Sequence, residues 1–255
     1  MSDAMVFWLR RILLWLALIA LWELSFRVGL LSPVIFGAPS LIYAAALKDG
    51  GTFIAALWVT GGEMLVAMLI AWLGGVAFGV LIGAAPLPAR IFAPVLSGVI
   101  ALPLIVLYPV LVAWLGIGVT SKIAYGAAAG FFPVALAALI GMRAIDPRYV
   151  EMARAIGATP LQTVTRVKMR LALPAIVSGL KVGTSLVIIS VIQSEMLSAT
   201  DGLGFWISYH RALFNTGQVY LGIVLVLLIA AVTHLALSTL EQKFGRARVL
   251  EQAVE

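Results

Sequence analysis

The 255-residue chain is 63% hydrophobic and only 11% charged, with a net charge of +6 and no cysteine. Soluble domains hold about 45–50% apolar and about 25% charged residues, so this composition excludes one. The absence of thiols excludes disulfides, thiolate metal sites and cysteine nucleophiles, and the basic excess tracks position along the chain as a membrane-orientation bias, not a nucleic-acid footprint.

Residues 64–89, 91–121, 123–142 and 212–240 carry no Asp, Glu, Lys or Arg. A hydrocarbon core of about 30 Å is crossed by about 20 apolar residues in a helix. A membrane barrel would instead alternate polarity in segments of about 10 residues, and these runs are apolar all round. The class is an all-α membrane protein.

Arg10 and Arg11 precede an apolar stretch, residues 12–22, which continues through Glu23 and Arg27 without a small-x-small cleavage site. It reads as an uncleaved first helix with its N-terminus inside. Glu23 and Arg27 stand at i and i+4 with the acid first, the favourable order for a helical pair. Pro33, Gly37 and Pro39 then lead into a short helix over residues 40–47 at the outer surface.

The second span covers about residues 57–85, and Pro86, Pro88 and Arg90 mark the inner turn. Gly74, Gly75, Gly79 and Gly83 give this helix a small-residue stripe for close packing, a candidate dimer seam. A third span follows, interrupted by Pro94, Pro103 and Pro109, and a fourth covers about residues 123–144. The last two fall at about residues 175–198 and 219–240, joined by an outer loop over residues 199–218. Six spans put both termini inside. Only Arg27, Lys48, Lys122 and Arg211 then lie outside, leaving 13 of the 17 basic residues inside, as the positive-inside rule requires.

One long polar stretch interrupts this pattern, about residues 145–174. Asp146-Pro147 is a helix start, an N-cap acid followed by Pro at the first helical position. Tyr149, Met152 and Ile156 recur on one face of the helix that follows. Gly157 breaks it, Ala158-Thr159-Pro160 begin a second short helix, and Leu173-Pro174 close the segment before the fifth span.

Glu151-Met152-Ala153, with Gly157 six residues after the Glu and Leu173-Pro174 further on, resembles the EAA loop of ABC importer permeases. Two positions depart from that pattern: Met152 replaces the second Ala, and Met169-Arg170 stand where many members have an earlier Leu-Pro pair. Trp22-Glu23, Pro39-Ser40, Trp114-Leu115-Gly116-Ile117-Gly118, Phe131-Phe132-Pro133, Glu195-Met196-Leu197 and Gly202-Leu203-Gly204 are similar to the sulfonate/taurine/nitrate branch of that family.

The resemblance implies a single permease domain over residues 1–255 with the type I ABC importer permease fold, in a bacterial inner membrane. It implies a coupling helix formed by Glu151, Met152, Ala153, Gly157, Ala158, Leu173 and Pro174. The implied partners are a second permease copy, two cytoplasmic ATPase subunits and a periplasmic or lipid-anchored substrate-binding protein, besides membrane lipid. ATP and Mg belong to the partner, since this chain has no G-x-x-x-x-G-K-[ST] phosphate loop. No nucleic acid is expected.

Ionisable residues inside a membrane are functional candidates. Glu195, with Gln193, Ser194 and Ser190 on the same helix, is a candidate for the translocation path, and equally for a hydrogen bond to the Gly202-Leu203-Gly204 loop. Glu63 is either on the path or paired with Arg211 or Lys122. Tyr108, beside Pro109, either faces the path or packs in the core. His210 and His234 lack companion ligands at metal spacing, and no catalytic set can be assembled. The resemblance makes the substrate a small anion such as a sulfonate, taurine or nitrate, although the membrane interior carries no central Arg or Lys. A stand-alone secondary transporter or channel is the competing function, which leaves the polar loop unexplained.

Overall fold

A computed structural model describes the backbone of residues 3–252 and the side chains of residues 6–239 and 241. The helices are, in chain order, α1 (Asp3–Arg27), α2 (Pro39–Lys48), α3 (Gly50–Gly83), α4 (Pro86–Ala101), α5 (Tyr108–Leu115), α6 (Val119–Arg143), α7 (Pro147–Ala155), α8 (Pro160–Gln162), α9 (Met169–Ser198), α10 (Leu203–Ala212) and α11 (Thr216–Gln252). A 3₁₀ turn (Leu104–Leu107) precedes α5, and a π turn (Thr163–Lys168) fuses α8 to α9.

Helices α3, α6 and α9 form the centre, with α6 between the other two. Apolar surface gains nothing by leaving lipid, so close van der Waals packing must hold these helices together. The glycines provide it. A Cβ on Gly79 would lie 2.6 Å from the Cβ of Ala138, one on Gly75 2.8 Å from Val134, and one on Gly83 2.8 Å from Met142. The stripe on α3 therefore meets α6 of its own chain, and three of the four glycines expected at a dimer seam are used internally. Gly126 and Gly130 of α6 and Gly183 of α9 make similarly close approaches at the second seam. Met64, Ala67, Met68 and Ala71 on α3 pack there with Ala127 and with Val187, Ile188 and Val191 on α9.

Among the described residues, four helices have the length and apolarity to cross a membrane, or five when α4 and α5 are one broken span bent by 87°. The expected count was six. Helix α1, 25 residues long with a charge-free stretch over residues 12–22, is the remaining candidate for the sixth span. Its side chains are exposed along nearly the whole length. It touches the rest near its outer end, where Trp22 stacks on Tyr220 at 5.9 Å and Glu23 accepts the Ser40 N–H at 3.1 Å while pairing with Arg27 at 2.7 Å.

The α4–α5 break falls at Leu102-Pro103. Pro109 sits in the first turn of α5, where its missing N–H is harmless, and Pro94 is accommodated within α4. Helices α3 and α11 extend beyond the expected spans, starting at Gly50 and running to Gln252, and two further features differ from the sequence reading. The outer loop contains helix α10. The chain from Pro160 to Ser198 is one continuous 39-residue helix, so Leu173 and Pro174 lie within it and do not close the polar segment. Proline removes one donor from a helix, and here the neighbouring turns remain helical on both sides.

Candidate coupling helix, central cavity and outer polar cluster

The inner end is built around α7. The Asp146 carboxylate caps it, accepting the Arg148 N–H at 2.9 Å, and Arg148 Nε donates back to it at 3.0 Å. That backbone N–H chiefly holds the Asp146 carboxyl below its ordinary value, against the opposing effect of burial and with help from the nearby guanidinium charge. At the other end Gly157 takes φ +80°, donates to Arg154 O at 2.9 Å, and lets Ala158 donate to Ala153 O at 2.9 Å. This pair of bonds is the Schellman termination, which calls for a left-handed residue. Nothing lies within 4 Å of a Cβ placed at Gly157, so its demand is conformational and not steric. Thr159 and Gln162 form a reciprocal capping box for α8.

The faces of α7 are unequal. Ala153 is buried, whereas Tyr149 is 49%, Met152 66% and Ile156 87% exposed, and Leu161 beyond the turn is 72% exposed. Glu151 is exposed and Ala158 half-buried. The structure thus groups Glu151, Met152, Ala153, Gly157 and Ala158, and leaves Leu173 and Pro174 half-buried in α9.

A cavity of about 270 Å³ opens beside the α4–α5 break, where it faces α6 and α9. Pro103 and Leu104 form one wall, and Tyr125, Ile189, Ser190 and Gln193 the other. Tyr125 donates its hydroxyl to Gln193 Oε1 at 3.2 Å. Tyr108 is buried behind Tyr125 with ring centroids 5.3 Å apart, and its hydroxyl shares a 2.8 Å hydrogen bond with Ser198. No charged side chain lines this space. Ser190 and Gln193 are the two path candidates that the structure brings to it.

Glu63, Ser194 and Glu195 point elsewhere. Ser194 is buried and donates to Val191 O of its own helix at 2.7 Å. Glu195, 1% exposed, accepts from Thr60 Oγ1 at 2.7 Å and from the Gly204 N–H at 2.7 Å. Thr60 accepts in turn from the Leu203 N–H at 2.7 Å. Glu63 meets Lys122 Nζ at 2.5 Å, and Lys122 also reaches Asp201 at 3.0 Å. These groups pin the start of α10 to α3, α6 and α9. Of the alternatives for Glu195 and Glu63, the geometry realises the loop hydrogen bond and the Lys122 pair. Gly202, at φ +95°, is required there, because a Cβ would overlap the Glu195 carboxylate.

Sequence reasoning missed Thr60, Tyr125 and Asp201. A hydroxyl inside an apolar run was the available signal for the first two; nothing local distinguished Asp201 from any loop acid. His210 stacks on Trp206 at 4.2 Å, and among the described residues no three His, Asp or Glu gather as metal ligands.

Residues 75–246 match the family described as binding-protein-dependent transport system inner membrane component. The taurine transport system permease protein TauC of Escherichia coli K12 is 29% identical over 89% of this chain and 85% of its own length. The formylaminopyrimidine transport permease protein ThiX of Halalkalibacterium halodurans is 26% identical over 90% of this chain and 92% of its own. In fold, the chain is similar to a chain of the MetNI methionine ABC transporter in inward-facing conformations, with a TM-score of 0.66, 21% identity, and coverage of 77% of this chain and 97% of that one. With a family match over two thirds of its length, this chain belongs to the binding-protein-dependent inner membrane components, the membrane-spanning permeases of ABC importers.

Proposed function

We propose that residues 1–255 form one permease domain that pairs with a second copy, receives force from two cytoplasmic ATPase subunits through α7, and passes solute along the cavity bordered by Ser190 and Gln193. The observation that carries this reading is the exposed apolar face of Tyr149, Met152 and Ile156, on a helix fixed at both ends by caps. Such a face on an otherwise polar segment suits a partner's cleft, with Glu151 at its border as a polar contact. ATP and Mg would act in the partner. Both termini would lie in the cytoplasm, in keeping with the distribution of Lys and Arg.

A binding protein, periplasmic or lipid-anchored, would deliver the solute. The resemblance to taurine permeases supports a sulfonate, taurine, nitrate or similar small organic ion. The uncharged cavity supports leaving most of the recognition to that binding protein, since a site that selects an anion needs fixed donors or a cation. Alternating access then requires α7 to make different contacts in two states of the ATPase pair.

Glu151→Lys tests the assignment. The parent permease should co-purify with its ATPase at equal stoichiometry, and the variant should lose most of it while eluting at the same size when alone. Undiminished ATPase recovery and transport in the variant would remove Glu151 and its face from the coupling contact.

A further inference from the structure

Three cations from three separate elements converge under α7. Arg143 ends α6, Arg154 lies on α7, and Lys168 closes the π turn. Arg154 and Lys168 line two adjoining cavities of about 350 and 210 Å³; Arg143 borders the smaller one. Burial first, and then the nearby charges of Arg143 and Arg154, disfavour the Lys168 ammonium. Among the described residues, none of the three takes part in an ion pair, and the one hydrogen bond of Lys168 is a long 3.5 Å contact to Ala84 O. Glu151 is the single carboxylate on either wall, so three cations face one anion and two positive charges remain uncompensated. Gathering like charges is unfavourable unless an anion joins them.

Position identifies that anion. Helix α3 ends at Gly83 and the charge-free run of α6 at Met142, so the cluster lies where two apolar helices of spanning length give way to the polar segment. Val150, Ala84 and Thr163 supply the less polar lining of the larger cavity. The docking face of Tyr149, Met152 and Ile156 lies roughly 0.4 of a turn around α7 from Val150 and Arg154, so a protein seated on it reaches the smaller cavity only at Glu151 and leaves the larger one open. We propose that Arg143, Arg154 and Lys168 form a binding site for the phosphate headgroup of an anionic inner-leaflet phospholipid, which tethers the root of α7 to the membrane surface. Basic pockets at the cytoplasmic ends of membrane helices have the chemistry for such headgroups. The site stands whether or not α7 docks an ATPase, because lipid retention is read without transport.

Native mass spectrometry of the purified full chain tests it, with dioleoyl phosphatidylglycerol or dioleoyl phosphatidylcholine added in detergent. The parent should retain phosphatidylglycerol and not phosphatidylcholine. R154Q/K168Q should lower that retention roughly ten- to thirtyfold, and R154K/K168R should preserve it. R90Q/R166Q removes the same charge from exposed cytoplasmic positions outside the cavities and should change retention less than about twofold. Each variant is scored only as folded protein, by its elution volume; if R154Q/K168Q does not fold, the single R154Q and K168Q variants carry the same comparison. Equal losses in the two charge-matched pairs would overturn the site, as would unchanged retention in R154Q/K168Q. Displacement of the lipid by millimolar inorganic phosphate would make it a free-phosphate site, and stoichiometric displacement by added ATPase would make it part of a protein interface; either result overturns the assignment.

Discussion

At the outer end of the bundle Lys122 is 1% exposed and meets Glu63 and Asp201, while each oxygen of Glu195 accepts a hydrogen bond, from Thr60 and from the Gly204 N–H. At the inner end Arg143, Arg154 and Lys168 share a wall with one carboxylate, and Tyr149, Met152 and Ile156 face outward. The same residue chemistry is thus closed on itself at one end and left open at the other. Buried charge tolerates no vacancy, because removing one partner strands the other in a low-dielectric interior. Exposed charge and apolar surface at the α7 end stay available to a partner, as the proposed ATPase contact requires.

If the outer end is internally complete, breaking it should affect the fold more than any change at the inner end. Lys122→Met leaves Glu63 without its cation and should destabilise the detergent-solubilised protein by about 3–5 kcal/mol, read as a fall in Tm. Glu63→Met combined with Lys122→Met should recover most of that loss. A single variant as stable as the parent would show that the pair is not buried as described. Gly202→Ala comes next, at about 2–3 kcal/mol, since it adds overlap with Glu195 to the strain of a positive φ. It should loosen α10, seen as faster hydrogen exchange over residues 203–212, and unchanged exchange there would contradict the role given to the cluster.

The smallest effect belongs to the inner end. Asp146→Ala removes an N-cap and should raise exchange in α7 alone, leaving Tm nearly unmoved. The pH dependence has a definite sign. The folded Asp146 carboxyl sits below its unfolded value, so its contribution is present above the unfolded pKa and disappears as pH falls through the depressed folded one. Exchange in α7 of the parent should therefore rise toward that of the Ala variant only at pH below the ordinary carboxylate range.

Local signals made α7 legible before any coordinates. Asp146-Pro147, Gly157 and Thr159-Pro160 each act within a few residues, so a cap, a left-handed termination and a second cap could be read in order. Leu173-Pro174 misled for the same reason: a proline argues for a boundary locally, yet the π turn and α9 run on as one helix. The stripe at Gly74, Gly75, Gly79 and Gly83 was recognisable as packing, but spacing alone does not say whether the partner is another chain or α6 of the same one. The outer cluster was harder still. Thr60, Lys122 and Asp201 come from distant parts of the chain, and only the crossing of α3, α6 and α9 brings them onto Glu63 and Glu195. For the family, motif spacing sufficed; for Glu195 the residue itself was found and only its surroundings could choose between a path and a latch.

The absence of cysteine makes the central claim directly measurable. Met152→Cys in an otherwise thiol-free chain places one label in the middle of the exposed face of α7. In inside-out vesicles a membrane-impermeant maleimide should modify it rapidly after the ATPase has been stripped with urea, and much more slowly when the ATPase is restored, as for a residue covered at a protein interface. Equal labelling with and without the ATPase would contradict the assignment of α7 as the surface that receives the force.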